Sequence, residues 1–214
     1  MQKFGKVSIP DLLVQNIDRD LILAIEESLM VGALRAYECS KNMQFGHRPS
    51  VLGQMRHFHM NETFHRALEA KNASPTAIRG NEIVTGHSGI FTLARVNTSV
   101  NWRNISRSKK RQAMSFKNIN IQMLVQPELF AMFQPASEGF VLFLTEFHRS
   151  VCNSPEIPVS IKIIVPSSDM KTCLFEEHLS VFLRRYEKQP MQQIDKAKPR
   201  LKKNRKTGND GMEK

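Results

Sequence analysis

Arginines at positions 103, 107 and 111 stand four residues apart. On one helix that spacing sets them along a single ridge at about 6 Å per step, comparable with phosphate spacing along a nucleic-acid strand. Lys109, Lys110 and Lys117 share the stretch: from Trp102 to Lys117 there are six basic residues and no acid, a local charge of +6. Asn104, Ser106 and Ser108 add uncharged donors for phosphate or sugar, while nothing in the run specifies a base edge. A second basic run, residues 196–206, includes Lys202, Lys203, Arg205 and Lys206 and gives residues 194–214 a net +5, so the chain's whole excess of +11 sits in two places. Charge concentrated in this way attracts polyanions. The leading expectation is a nucleic-acid-binding accessory or regulatory protein that meets the phosphate backbone of DNA or RNA through Arg103, Arg107, Lys109, Lys110, Arg111 and Lys117, with the tail as an auxiliary arm.

Other constellations define alternatives. A metal-independent ribonuclease, of the kind found among toxin-like effectors, needs a general base, a general acid and a phosphate clamp, roles that His87, Glu82 and Arg95 have the chemistry to fill. His57, His59, Glu62 and His65 form the densest histidine group; Glu62 and His65 have the i, i+3 spacing of carboxylate–imidazole metal pairs in helical bundles. No second such pair accompanies them, so they are expected to be ordinary helix residues. Ser160 stands where a nuclease metal site of the acid, D/E-x-K type would need a carboxylate before Lys162. Neither a metal nor a cofactor is therefore expected. There is no P-loop, GxGxxG, GxSxG or CxxC motif, which removes the common nucleotide, dinucleotide, hydrolase and zinc-ribbon readings.

Residues 126–130, Gln-Pro-Glu-Leu-Phe, resemble the pentapeptide by which bacterial replication proteins dock on the sliding clamp, with proline at the second position in place of the usual leucine. The resemblance implies that Gln126 hydrogen-bonds at the clamp pocket while Leu129 and Phe130 fill an apolar groove. A protein-interaction module with a replication or regulatory partner is thus a third reading.

These residues must be positioned by helices and strands that the hydrophobic spacing announces. Leu21, Ile22, Ile25, Leu29, Ala33 and Ala36 predict an amphipathic helix over residues 18–40, capped by Asp18. Pro49 suits the first turn of a second helix, with Leu52, Met55, Phe58, His65 and Leu68 as its buried stripe. Residues 82–85 and 90–97 read as strands joined through Gly86–Gly89, and 102–117 as one basic helix. Residues 140–147 and 159–165 read as a long hairpin, apolar at both parities and so covered on both faces. A last helix is expected from Asp169 or Thr172, with Glu176 and Glu177 near its N-terminal end and Arg184, Arg185 and Lys188 near its C-terminal end.

The architecture expected is α+β: an antiparallel sheet of about four strands packed with N-terminal helices, the central basic helix and a C-terminal helix. Residues 1–190 form one domain, helical over 1–73 and mixed over 80–190, followed by a disordered basic tail at 191–214 whose composition cannot repay the entropy of ordering. An apolar fraction of 41% with 24% charged residues is that of an ordinary globular chain. No stretch reaches the roughly 18 apolar residues of a membrane span, and Cys39, Cys152 and Cys173 are too few and too scattered for a disulfide framework. A cytoplasmic protein with no membrane contact and buried cysteines is expected.

Overall fold

The structure is a computed structural model that describes residues 8–98, 105–125, 136–148 and 156–187. Arg103, Gln126, Leu129, Phe130, Cys152, Lys202, Lys203, Arg205 and Lys206 lie outside the described residues, as does the tail.

The fold is α+β. Helix α1 (Ile9–Asn16) starts at a capping box in which the Ser8 hydroxyl accepts from the Asp11 amide and the Asp11 carboxylate returns to Ser8. Helix α2 (Arg19–Ser40) buries Leu21, Ile22, Ile25, Leu29, Ala33 and Ala36, the stripe the spacing predicts. Helix α3 (Arg48–Ala70) buries Leu52 and Leu68 of the expected stripe but not the rest of it. Met60, Asn61, Thr63, Phe64, Ala67 and Leu68 face inward with Leu52, while Phe58 is exposed and Met55 and His65 are half-buried. The reason is packing on two sides: α3 lies against α2 and also against the sheet, so its buried surface follows both neighbours rather than one heptad seam. Gly32 of α2 permits the close approach, since a Cβ there would sit 2.5 Å from Thr63 Oγ1 and 2.7 Å from Met60 Cα.

Five strands, where about four are expected, form one sheet in the order of the chain: β1 (Thr85–Ser88), β2 (Phe91–Thr98), β3 (Gly139–Glu146), β4 (Ser160–Pro166) and β5 (Cys173–His178). The β1–β2 hairpin turns at Gly89 and Ile90, with Gly89 at φ +52, while Gly86, His87 and Ser88 belong to β1 itself. The sheet is mostly antiparallel, but β2 and β3 run parallel. They are joined by a crossover that includes helix α4 (Lys109–Ser115), a short 3₁₀ turn (Phe116–Asn118) and helix α5 (Ile119–Val125), and a crossover of this length returns a strand in the same direction.

The expected last helix divides. Residues 173–178 form edge strand β5, and only helix α6 (Leu179–Glu187) is helical. Glu176 and Glu177 therefore do not cap a helix. Glu176 meets Lys162 on β4 at 2.9 Å, and Glu177 takes two 2.7 Å bonds from Arg185. Six residues without a clear period suit strand or helix, and pairing with the open edge of β4 decides. Tyr186 donates to the Ile17 carbonyl at 2.5 Å and so ties α6 to the α1–α2 junction.

Both faces of the sheet are covered, as parity predicts. Phe91, Leu93, Val141, Phe143, Ile163 and Val165 pack against α1, α2, α3 and α6. Ala94, Val96, Phe140, Leu142, Leu144 and Ile164 pack on the other side against Ile105 and Met170. Cys39 and Cys173 are exposed, against expectation, because one lies at the outer end of α2 and the other on the edge strand. Burial of its sulfur among neighbours still pushes the Cys173 thiol up to about 11, so it stays protonated at neutral pH. Among the described residues no helix is long and apolar enough to cross a membrane.

Candidate anion-binding site

The basic segment is not one helix. Ser108 is extended (φ −73, ψ 116), and its hydroxyl accepts from the Arg111 amide, so α4 begins afresh at Lys109. A serine that can cap competes with helix continuation, and here capping wins. Arg107 and Arg111 consequently sit on separate pieces and do not share a ridge. Arg107 and Lys109 are exposed and make no ion pair among the described residues. Lys110 lies 3.3 Å from Glu82. Lys117, in the 3₁₀ turn, donates to Thr92 Oγ1 at 3.0 Å and faces Glu138 at 3.8 Å. Arg111 turns inward: half-buried, its Nε donates to the Ile105 carbonyl at 2.9 Å.

The three residues of the ribonuclease reading are not brought together. His87 is exposed opposite Thr92, 3.4 Å from its hydroxyl, on the sheet face that meets the crossover. Arg95, three residues beyond Thr92, projects from the opposite face. Glu82 is exposed and pairs with Lys110. Among the described residues no group of three or more His, Cys, Asp or Glu side chains is placed to hold a metal. Glu62 is bonded to Arg66 at 2.6 Å, and His65 lies 4.0 Å from Glu69.

What does converge is a set that chain order hides. Strand β1 pairs with β2 only as far as Thr85 opposite Ala94, which leaves Arg95–Thr98 without a β1 partner. A cavity of about 320 Å³ opens beside them, lined by Val96, Asn97 and Thr98 of β2, by Gly53, His57 and Asn61 of α3, and by Ile83, Ile105, Arg95 and Arg111. The α3 residues are four apart and form one row along the helix.

Arg95 is the centre of the arrangement. Only 4% exposed, it donates from Nη2 to the His57 carbonyl at 2.5 Å and to Asn61 Oδ1 at 2.8 Å, and from Nη1 to Asn97 Oδ1 at 3.1 Å. Its Nε has no partner, and no carboxylate pairs with it among the described residues. Asn61 Nδ2 in turn donates to the Glu82 carbonyl at 2.9 Å. Two amide side chains are thereby oriented with their oxygens toward Arg95.

The cavity carries an excess of positive potential. Burial pushes the Arg95 guanidinium down to about 9, and it remains charged at neutral pH. Burial lowers Arg111 as well. His57 is lowered by burial first and by the Arg95 charge second, against a backbone bond to Asn81 that favours the cation. Burial leads all three shifts, and among the described lining residues there is no acid to offset it. An effective penalty of several kcal/mol attends a buried charge without a counter-charge, and three bonds to neutral oxygens offset it only in part.

His57, Arg95 and Arg111 each stand out in the sequence, but never as a set; Asn61, Asn97 and Thr98 carry no sequence signal. The one local clue is an arginine within the mostly apolar run Phe91–Val96, at a position whose same-face neighbours Phe91 and Leu93 are buried. Comparison with known protein families, with characterised proteins and with solved structures gives no match to this chain, so its chemistry rests on the geometry of this cavity.

Proposed function

We propose that the protein binds a small anionic ligand in the cavity between α3 and β2. The observation that carries the reading is Arg95: a buried guanidinium, without a carboxylate partner among the described residues, lining a cavity that also holds Arg111 and His57. An oxyanion there supplies the missing counter-charge, and in a poorly hydrated site its bonds to guanidinium are stronger than at the surface. The same arginine ties α3 to β2, so ligand binding and helix position are joined in one side chain.

Sulfate at saturation, compared with chloride at equal ionic strength, is expected to raise the melting temperature by about 5 °C or more. Sulfate also strengthens folded states generally, so the gain must shrink sharply in both Arg95→Met and Arg111→Met. Among the described residues Arg111 makes a single side-chain hydrogen bond, so its variant tests the site with little disturbance of the fold. An equal gain in wild type and both variants overturns the reading.

A second reading, contact with a nucleic-acid backbone, is favoured by Arg107 and Lys109, which stand exposed without ion pairs among the described residues. Arg103 and the tail residues Lys202, Lys203, Arg205 and Lys206 are its further contacts. Reversing charge in Arg107→Glu/Lys109→Glu is expected to weaken DNA or RNA binding and to reduce the slope of log affinity against log salt by about 2. Unchanged affinity and slope would remove these two residues from any such surface.

A further inference from the structure

We infer that the cavity takes the phosphate of a small phosphomonoester, with the dianion between Arg95 and Arg111 and the organic part along Ile83, Val96 and Ile105. This rests on the anion reading above and narrows it by charge, hydrogen-bonding character and size.

Among the described residues two guanidinium groups line the cavity, and no acid accompanies them. A monoanion such as a carboxylate leaves one of those charges uncompensated, whereas a phosphate monoester carries about −1.5 to −2 at neutral pH. The planar guanidinium fork also matches phosphate oxygens in pairs.

The hydrogen-bonding inventory points the same way. Arg95 consumes the oxygens of Asn61 and Asn97, and Asn61 Nδ2 is spent on the Glu82 carbonyl. Among the described residues, the side-chain donors left uncommitted in the lining include Asn97 Nδ2 and the terminal nitrogens of Arg111, whose own bond runs from Nε. Side-chain donors left over beside occupied amide oxygens suit a ligand head that only accepts, as a phosphate dianion does.

Size supplies the third constraint. A cavity of about 320 Å³ lies at the lower end of small-molecule sites, which begin at roughly 300 Å³. It exceeds what a phosphate group fills, and the three aliphatic side chains offer the remainder an apolar wall.

Calorimetric titration of the full chain at fixed ionic strength with inorganic phosphate, glucose 6-phosphate, AMP, succinate and acetate distinguishes the claims. At least one phosphomonoester is expected to bind about tenfold or more tightly than succinate, acetate and inorganic phosphate, and to lose about tenfold in Arg111→Met and in Arg95→Met. Should Arg95→Met not fold, the Arg111→Met result decides. Succinate or acetate binding as tightly as the esters would overturn the phosphate assignment and leave the anion site standing. Inorganic phosphate binding as tightly as the esters would overturn the role given to the aliphatic wall. Absence of binding by every anion would overturn both this inference and the reading beneath it.

Discussion

Replacing Asn118 with leucine is expected to lower the melting temperature by about 10 °C, read by thermal unfolding followed by circular dichroism. Asn118 is fully buried at the end of the 3₁₀ turn, where it does the work of a missing strand. Its Nδ2 donates to the carbonyls of Phe140 on β3 at 3.0 Å and Pro166 on β4 at 2.8 Å, and its Oδ1 accepts from the Phe140 amide at 2.6 Å. Leucine keeps the branched four-atom shape but is larger, so some overpacking adds to the loss of hydrogen bonds. Three backbone groups in the interior lose a partner at once, and stranded buried groups cost about 1–3 kcal/mol each. With partial relaxation the total should be about 3–4 kcal/mol. Asn118→Asp keeps the acceptor for the Phe140 amide but sets a carboxylate oxygen against two carbonyls, and should be at least as damaging. A loss below about 1 kcal/mol in Asn118→Leu would show that the crossover is held to the sheet by apolar contacts alone.

The second large effect is expected at Gly32. Valine there should cost about 3 kcal/mol, because its Cβ would meet the backbone of α3 at Met60 as well as the Thr63 hydroxyl, and backbone cannot rotate away. The consequence reaches the cavity. Met60 and Thr63 flank Asn61, and His57 is one turn earlier on the same helix, so pushing α3 from α2 stretches the Arg95 bonds to the His57 carbonyl and Asn61. Gly32→Val is therefore expected to lower stability and, at a temperature where it remains folded, to weaken anion stabilisation in parallel. Gly32→Ala should lie between, since alanine's better helix propensity, about 1 kcal/mol, offsets part of the clash. An alanine variant more stable than wild type would show that the helices part freely.

How far the fold was legible follows from what each signal depends on. The α2 stripe, the β1–β2 hairpin and the β3 and β4 strands are written in spacing and parity, and the structure has them within a few residues. The β5 edge strand was not legible, because residues 173–178, three apolar then three polar, show no period that separates helix from strand until β4 offers an edge. Nor was the break at Ser108: the arginine spacing is helical throughout, and only the competition between a cap and a continuing turn separates Arg107 from Arg111. The parallel direction of β3 depends on where the crossover returns, which no local pattern encodes.

By itself the sequence determined an α+β chain with its excess charge in two runs, because composition and hydrophobic period act through near neighbours. Only the tertiary structure decided that His57, Arg95 and Arg111 share one cavity while His87 and Lys117 serve elsewhere. Arg95 bonds a carbonyl 38 residues earlier in the chain, and the cavity exists because β1 stops short of β2's end. Contacts of that range arise from packing, so their electrostatics cannot be read until the chain has closed on itself.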